Sequence, residues 1–203
     1  MAEPGAGVKT AKKRSRFSVC VEIVMLAALI VGAFFLLRTG YRRYMLKAYP
    51  MLYTEAVQRY ADEYGITPSL IYGIIRTESE FNPDAVSSAN AKGLMQLTDA
   101  TFDWAQQRSP VKEDLSPEQL FDPEINIHYG TYVLLLLNQQ FSDPDTALAA
   151  YNAGLGSVNK WLKDPECSDD GLTLKSIPYK ETADYVQRVR KAQEMYRELY
   201  DIP

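Results

Sequence analysis

Glu78 is the residue in this chain best placed for acid–base chemistry. In the stretch from Pro68 to about Glu80 it follows Ile71 and Ile75 at i, i+4 and i+7, so it shares a helical face with two large apolar residues. An acid on a core-facing stripe loses hydration, which disfavours the carboxylate and keeps a proton available for donation near neutral pH. Glu80, two residues on, points elsewhere and reads as solvated. Periodicity alone leaves a blander reading open, in which Glu78 is a helix-end residue paired with an arginine or capping a loop. Metal chemistry of the usual kind is excluded on composition: the chain has two cysteines and one histidine, too few for a zinc cluster unless carboxylates supplied most of the ligands. His128 reads as an ordinary helix residue. Cys20 and Cys167 are expected not to pair, because Cys20 falls inside a long apolar run.

The residues that follow Glu78, ESEFNPDAVSSANAKGLMQLTDATFDW, resemble the soluble-lytic-transglycosylase domain of the lysozyme-like superfamily. Glu78-Ser79 is similar to that family's catalytic Glu-Ser pair, Ser87 to its cleft serine, and Gly93-Leu94-Met95-Gln96 to its GLMQ signature. Further along, Ala150-Tyr151-Asn152-Ala153-Gly154 resembles AYNAG, and Ile177 to Val186 resembles IPxxETxxYV. Three ordered motifs at matching spacing form a specific signal, and the resemblance covers roughly residues 53–196. Two departures stand out: Asn90-Ala91 replaces the usual Gly-Ala, and Thr98-Asp99 replaces the commoner Met-Pro. Asn tolerates the left-handed backbone that Gly would adopt, and Thr98 or Asp99 suits a helix N-cap.

The resemblance implies an all-α, lysozyme-like catalytic domain and a reaction on peptidoglycan glycan strands, with no cofactor and no metal. Glu78 is then the single catalytic acid/base. It would protonate the glycosidic oxygen between N-acetylmuramic acid and N-acetylglucosamine, then take the proton of the C6 hydroxyl as a 1,6-anhydro ring closes without water. Ser87, Met95, Gln96, Tyr151, Asn152, Glu181 and Tyr185 are the implied substrate-binding residues. Read without the resemblance, Met95 equally suits the core, Glu181 is an early-helix acid favoured by the dipole, and Tyr185 is amphipathic enough to serve core and cleft together. Most glycosidases use a second carboxylate, and the resemblance supplies none; Asp84, Asp99 and Asp103 read as surface or capping residues. Two rivals remain. One is a muramidase that adds water; the other is a glycan-binding or scaffolding module serving a cell-envelope machinery.

The elements around these residues carry helical punctuation almost throughout. Thr54 and Gly65 bracket one helix; Thr67 with Pro68 starts the next and Asn82-Pro83 is expected to end it. Asp122-Pro123 and Asp143-Pro144 repeat the cap-then-proline signal, and Tyr185, Val189, Ala192, Tyr196 and Leu199 form one stripe near the C-terminus. Val133–Leu137 is too short to span a membrane and reads as a buried central helix. Residues 83–92 and 163–179 have loop composition.

The N-terminal part differs in kind. Residues 17–37 are apolar except for Ser18 and Glu22, and at about 1.5 Å per residue they are long enough to cross a ~30 Å hydrocarbon layer. The expected organisation is a basic cytoplasmic tail at 1–16, a single transmembrane anchor at 17–37, a juxtamembrane linker at 38–50 and the catalytic domain at 51–203. Basic residues flank the span on both sides, so the positive-inside bias toward a cytoplasmic N-terminus and an extracytoplasmic domain is weak. Residues 48–203 hold 13 basic and 24 acidic residues, a net charge of −11. That acidity disfavours nucleic acid as a partner; the expected partners are glycan strands and the cytoplasmic membrane.

Overall fold

The computed structural model describes residues 16–203, with the side chains of 16–20 and 23 left aside. The expected tail at 1–16 therefore lies almost wholly outside the described residues. The chain divides into two compact units, up to Lys47 and from Ala48 onward. The first is one helix, α1 (Arg16–Ala48), which includes the expected anchor and continues through most of the expected linker. Its stretch Val24–Ala48 is long and apolar enough to cross a membrane.

The second unit is built from α2 (Thr54–Tyr64), α3 (Pro68–Glu78), α4 (Asp99–Arg108), α5 (Pro123–Gln140), α6 (Pro144–Ala153), α7 (Leu155–Trp161) and α8 (Lys180–Tyr200). A short 3₁₀ turn, Pro117–Phe121, leads into α5. No strand occurs among the described residues. Two isolated antiparallel bridges, Val86 with Lys92 and Lys92 with Leu97, fold the loop between α3 and α4.

The helix starts follow their sequence signals. Asp122 accepts hydrogen bonds from the Glu124 and Ile125 amides, Asp143 from that of Thr146, and Thr98 from that of Thr101, each satisfying donors that a helix N-terminus leaves free. Thr54 is the first helical residue rather than the cap, which is Tyr53 in a left-handed conformation. Gly65 closes α2 at φ 66°.

The end of α3 departs from expectation. The helix stops at Glu78, well before Asn82-Pro83, with Ser79 as its C-cap. Glu80 and Phe81 then take positive φ values of 51° and 67°, a reversal that non-glycine residues adopt at a cost of about 1–2 kcal/mol each. Burial of Phe81 against Tyr72, ring centroids 6.3 Å apart, offsets part of that cost. The consequence is that Glu78 is the last helical residue, presented at the mouth of a loop.

The core gathers on α3, α5 and α8. Ile71, Ile74 and Ile75 of α3 are fully buried, as are Tyr185, Val189 and Tyr196 of α8, and these two helices share the most extensive helix–helix interface in the unit. Gly73 makes the close approach possible: a Cβ there would lie 3.0 Å from the Val189 carbonyl oxygen and 3.1 Å from the Gln193 amide. Helix α5 passes through the centre, with Val133, Leu134 and Leu137 buried. Its His128 stacks on Tyr60 and Tyr64, centroids 4.7 and 5.8 Å away, and hydrogen-bonds the Tyr64 hydroxyl at 2.6 Å. Cys167 is free and buried in the loop before α8.

The chain entering this unit is held at three successive carbonyls. Arg76 Nε donates to the Ala48 oxygen at 2.8 Å, the Tyr200 hydroxyl to that of Tyr49 at 2.7 Å, and the Tyr196 hydroxyl to that of Pro50 at 3.0 Å. Arg76 stands two residues before Glu78, so the helix presenting the acid also holds Ala48, while α8 holds Tyr49 and Pro50.

Candidate active site

A cavity of about 440 Å³ opens beside the end of α3, and Glu78, Ser87, Gln96, Tyr151, Asn152 and Glu181 all line it. Six of the eight residues expected from sequence are thus gathered on one hollow, although they come from four separate segments. Met95 and Tyr185 are not on its surface. The Met95 side chain is fully buried and packs on α5, where only a glycine leaves room: a Cβ at Gly130 would lie 2.5 Å from Met95 Sδ. Tyr185 is 1% exposed and stands behind Glu78 rather than beside the opening.

Glu78 is mostly removed from solvent, and burial pushes its carboxyl up to about 7, opposed by the Tyr185 hydroxyl and by the positive charge of Arg188. The Tyr185 hydroxyl is close enough to act on the carboxyl, yet it makes no hydrogen bond of ordinary geometry here. It is a donor held in reserve, with its partner available when Glu78 ionises. The proximity of Glu78 and burial also raise the Tyr151 and Tyr185 phenols well above their ordinary range, burial being the larger cause in each. Both therefore serve as neutral hydrogen-bonding groups throughout the physiological range.

The opposite wall is the loop from Pro83 to Leu97, held by polar contacts. Ser87 Oγ accepts from the Ala89 and Ala91 amides at 3.2 and 3.0 Å. Asn90 takes φ 58°, the left-handed conformation anticipated for it, and Gln96 takes φ 50° with its Nε2 donating to the Ala85 and Gly93 carbonyls. At the centre sits Asn126 of α5, fully buried. Its Oδ1 accepts from the Met95 amide at 2.7 Å, and its Nδ2 donates to the Lys92 and Leu120 carbonyls at 2.9 and 2.8 Å. Lys92, 8% exposed, pairs with Asp99 at 2.8 Å and so ties the loop to the first turn of α4. The departure from Met-Pro at 98–99 thus supplies both a helix cap and the partner of a buried lysine.

Two bonds join the walls. Ser79 Oγ donates to the Leu94 carbonyl at 2.8 Å, fastening the residue after Glu78 to the GLMQ segment. The Tyr151 hydroxyl donates to the Met95 carbonyl at 2.9 Å. Met95 therefore shapes the cleft through its backbone. Asn152 Oδ1 accepts from the buried Thr182 hydroxyl at 2.8 Å, which orients the amide and joins the AYNAG segment to α8. Of the other carboxylates, Asp84 and Asp103 lie outside the cavity lining and Asp99 is engaged by Lys92; Glu181 is the one acid besides Glu78 that lines it. Among the described residues, no group of three or more His, Cys, Asp or Glu is gathered to hold a metal.

Sequence reasoning missed Asn126, Ser79 as a bridge, and the cleft-facing Thr98 and Thr101. A signal existed for Asn126: it stands on the apolar stripe of α5 with Tyr129, Gly130, Val133 and Leu137, where a polar residue needs buried partners.

The match to known proteins agrees with this geometry. Residues 55–171 fit the model of the transglycosylase SLT domain, more than half of the chain, and the chain belongs to that family. It is 36% identical over 151 residues to the soluble lytic murein transglycosylase of Escherichia coli (strain K12), covering 73% of this chain and 23% of that protein. It is 34% identical over 167 residues to membrane-bound lytic murein transglycosylase C of Actinobacillus pleuropneumoniae, covering 71% and 45%. Among solved structures, it resembles an inactive mutant of the lytic transglycosylase Slt from Pseudomonas aeruginosa, with a TM-score of 0.67 and 35% identity over 76% of this chain and 25% of that one. The 70 kDa soluble lytic transglycosylase of Escherichia coli gives the same TM-score at 33% identity, over 76% and 25%. The fold is therefore the all-α, lysozyme-like fold of SLT domains. The chain spans less than half the length of each of these relatives.

Proposed function

We propose that this chain is a membrane-anchored lytic transglycosylase that cleaves peptidoglycan glycan strands, with Glu78 as general acid and then general base. The observation that carries this reading is the place of Glu78 on the wall of a cavity it shares with Ser87, Gln96, Tyr151, Asn152 and Glu181, where burial pushes its carboxyl up to about 7. A group with that proton affinity is divided between acid and base forms near neutrality, which suits it to both halves of the reaction.

In the first half the Glu78 proton passes to the glycosidic oxygen as its bond to C1 of N-acetylmuramic acid breaks. The carbonyl oxygen of the 2-acetamido group closes on C1, giving an oxazolinium ion. Tyr185 donates to the carboxylate formed, while Tyr151 and Asn152 orient the sugar. In the second half Glu78 takes the proton of the C6 hydroxyl and O6 attacks C1, opening the oxazolinium. A 1,6-anhydro sugar leaves and Glu78 is protonated again, with no water consumed. Ser87, Gln96 and Glu181 hold the strand by hydrogen bonds, and α1 anchors the chain with its N-terminus cytoplasmic and the domain on the wall side.

A second reading has Glu181 in its favour, since it lines the same cavity and would serve as base for a water. Mass spectrometry of the sugars released from purified wall separates the two: anhydro products, lighter by one water, are expected, and reducing ends alone would establish hydrolysis. The P. aeruginosa relative is described as an inactive glutamate-to-glutamine mutant. Glu78→Gln here should lower the rate by about 10²–10⁴-fold with the fold intact; undiminished digestion by that variant would remove Glu78 from the chemistry.

A further inference from the structure

Helix α1 changes character after Leu37. Residues 23–37 are wholly apolar, whereas Arg38, Arg42, Arg43 and Lys47 follow within the next three turns, and no Asp or Glu occurs from Ile23 to Thr54. The helix continues unbroken to Ala48. All four cationic residues are exposed, and among the described residues none of them is in an ion pair. We propose that this basic collar binds the phosphodiester headgroups of anionic lipids, Arg38 with Arg42 gripping one phosphate and Arg43 with Lys47 another, given α1 as the membrane anchor read above.

The spacing suits that ligand. At about 100° per residue, Arg38 and Arg42 share one edge of the helix and Arg43 and Lys47 another, and the two edges together cover about half of its circumference. Tyr41 and Tyr44, 63% and 68% exposed, occupy the other half of the same turns. The members of each cationic pair stand at i, i+4, about 5–6 Å apart at Cβ, so two long side chains can converge on one phosphate. A guanidinium presents a planar fork of donors that matches phosphate oxygens two at a time. The tyrosines place amphipathic rings at the depth where hydrocarbon gives way to headgroups.

The helix has little support of its own here. Like charges at i, i+4 repel, and Gly40 weakens a helix with no packing in return, since a Cβ there would meet nothing within 4 Å. An anion held between the members of each pair turns repulsion into attraction. Depth decides the source of that anion. At about 1.5 Å per residue the apolar run up to Leu37 fills a ~30 Å hydrocarbon layer, so Arg38 begins at the level of the lipid phosphates. Thr39 fits that depth: its Oγ1 donates to the Phe35 carbonyl at 2.8 Å, and the first hydroxyl past the apolar run needs no water.

The test uses the full chain in nanodiscs that hold phosphatidylglycerol and phosphatidylcholine in equal amounts. Native mass spectrometry counts the lipids that the released protein retains, and hydrogen exchange reads the amides of residues 38–48. The parent should retain phosphatidylglycerol over phosphatidylcholine by about tenfold or more, and these amides should exchange more slowly than in discs of phosphatidylcholine alone. Replacing all four cations by Gln should abolish both differences. Arg38→Gln with Arg42→Gln, or Arg43→Gln with Lys47→Gln, should each remove about half of the retained anionic lipid, and these paired variants decide the matter if the fourfold one fails to insert. Tyr41→Ala with Tyr44→Ala should leave the preference for phosphatidylglycerol in place. Equal retention of the two lipids by the parent, a preference that survives loss of the cations, or its abolition by an equal concentration of soluble glycerol phosphate would overturn the headgroup site. Release of the parent from vesicles by alkaline carbonate would instead overturn the membrane anchor itself.

Discussion

The two walls of the cavity at Glu78 are held in opposite ways. The wall of α3 and α8 is apolar: Ile71, Ile75, Val189 and Tyr196 are buried, and the acid it carries is tuned by loss of water. The loop wall is polar: Asn126, Lys92 and Ser87 fix it through directed bonds, and its chemistry lies in where backbone groups end up. An apolar wall tolerates displacement of its parts but imposes a cost on any charge it holds. A polar wall imposes no such cost, yet each of its bonds depends on geometry. In the proposed reaction, which needs both a raised carboxyl pKa and a grip on sugar hydroxyls, the two kinds of wall serve different ends.

This contrast predicts mutations of similar size with opposite outcomes. The largest loss is expected at Gly93, which has φ 77° and where a Cβ would lie 2.2 Å from both Asn126 Nδ2 and the Leu120 carbonyl oxygen. Gly93→Ala should destabilise the fold by roughly 3 kcal/mol or more, read as a lowered urea midpoint; an unchanged midpoint would mean that the loop wall is not pinned through Asn126.

On the apolar wall the sign reverses. Because the folded-state pKa of Glu78 is raised from 4.5 to about 7, the native state holds this proton more tightly than the unfolded chain. Stability therefore falls as pH rises between those values, and the full penalty, about 3 kcal/mol, persists above pH 7. Glu78→Gln has no such penalty. It should be more stable than the parent at pH 8 by up to that amount and nearly equal to it at pH 4; equal stability at both would contradict the desolvation account.

The smallest effect is expected from Tyr185→Phe. Removing the hydroxyl that opposes the upward shift of Glu78 should move the pH–rate profile toward higher pH, with less than about tenfold change in rate at its maximum. A profile that stayed in place would show that Tyr185 does not act on Glu78.

The helices were largely legible in the sequence because their punctuation is local. Asp122-Pro123 and Asp143-Pro144 mark starts that need only the next three residues. The end of α3 was not, because Glu80 and Phe81 enter left-handed conformations that their side chains disfavour, and burial of Phe81, a tertiary effect, opposes that preference. Glu78 was placed on a face with Ile71 and Ile75 by periodicity, while the catalytic role proposed for it came from the motifs. A motif fixes order along the chain and says nothing of which side of the backbone faces the cleft; hence Met95 and Tyr185 sit behind the wall, although their neighbours Gln96 and Glu181 line it.

The most direct test of the account is the protonation of Glu78 itself. Carbon-13 NMR titration of the side-chain carboxyl, its signal assigned by its absence in Glu78→Gln, should give a midpoint near 7. A midpoint near the ordinary glutamate value of about 4.3 would show that the apolar wall does not hold the proton, and the acid role drawn from it would fall.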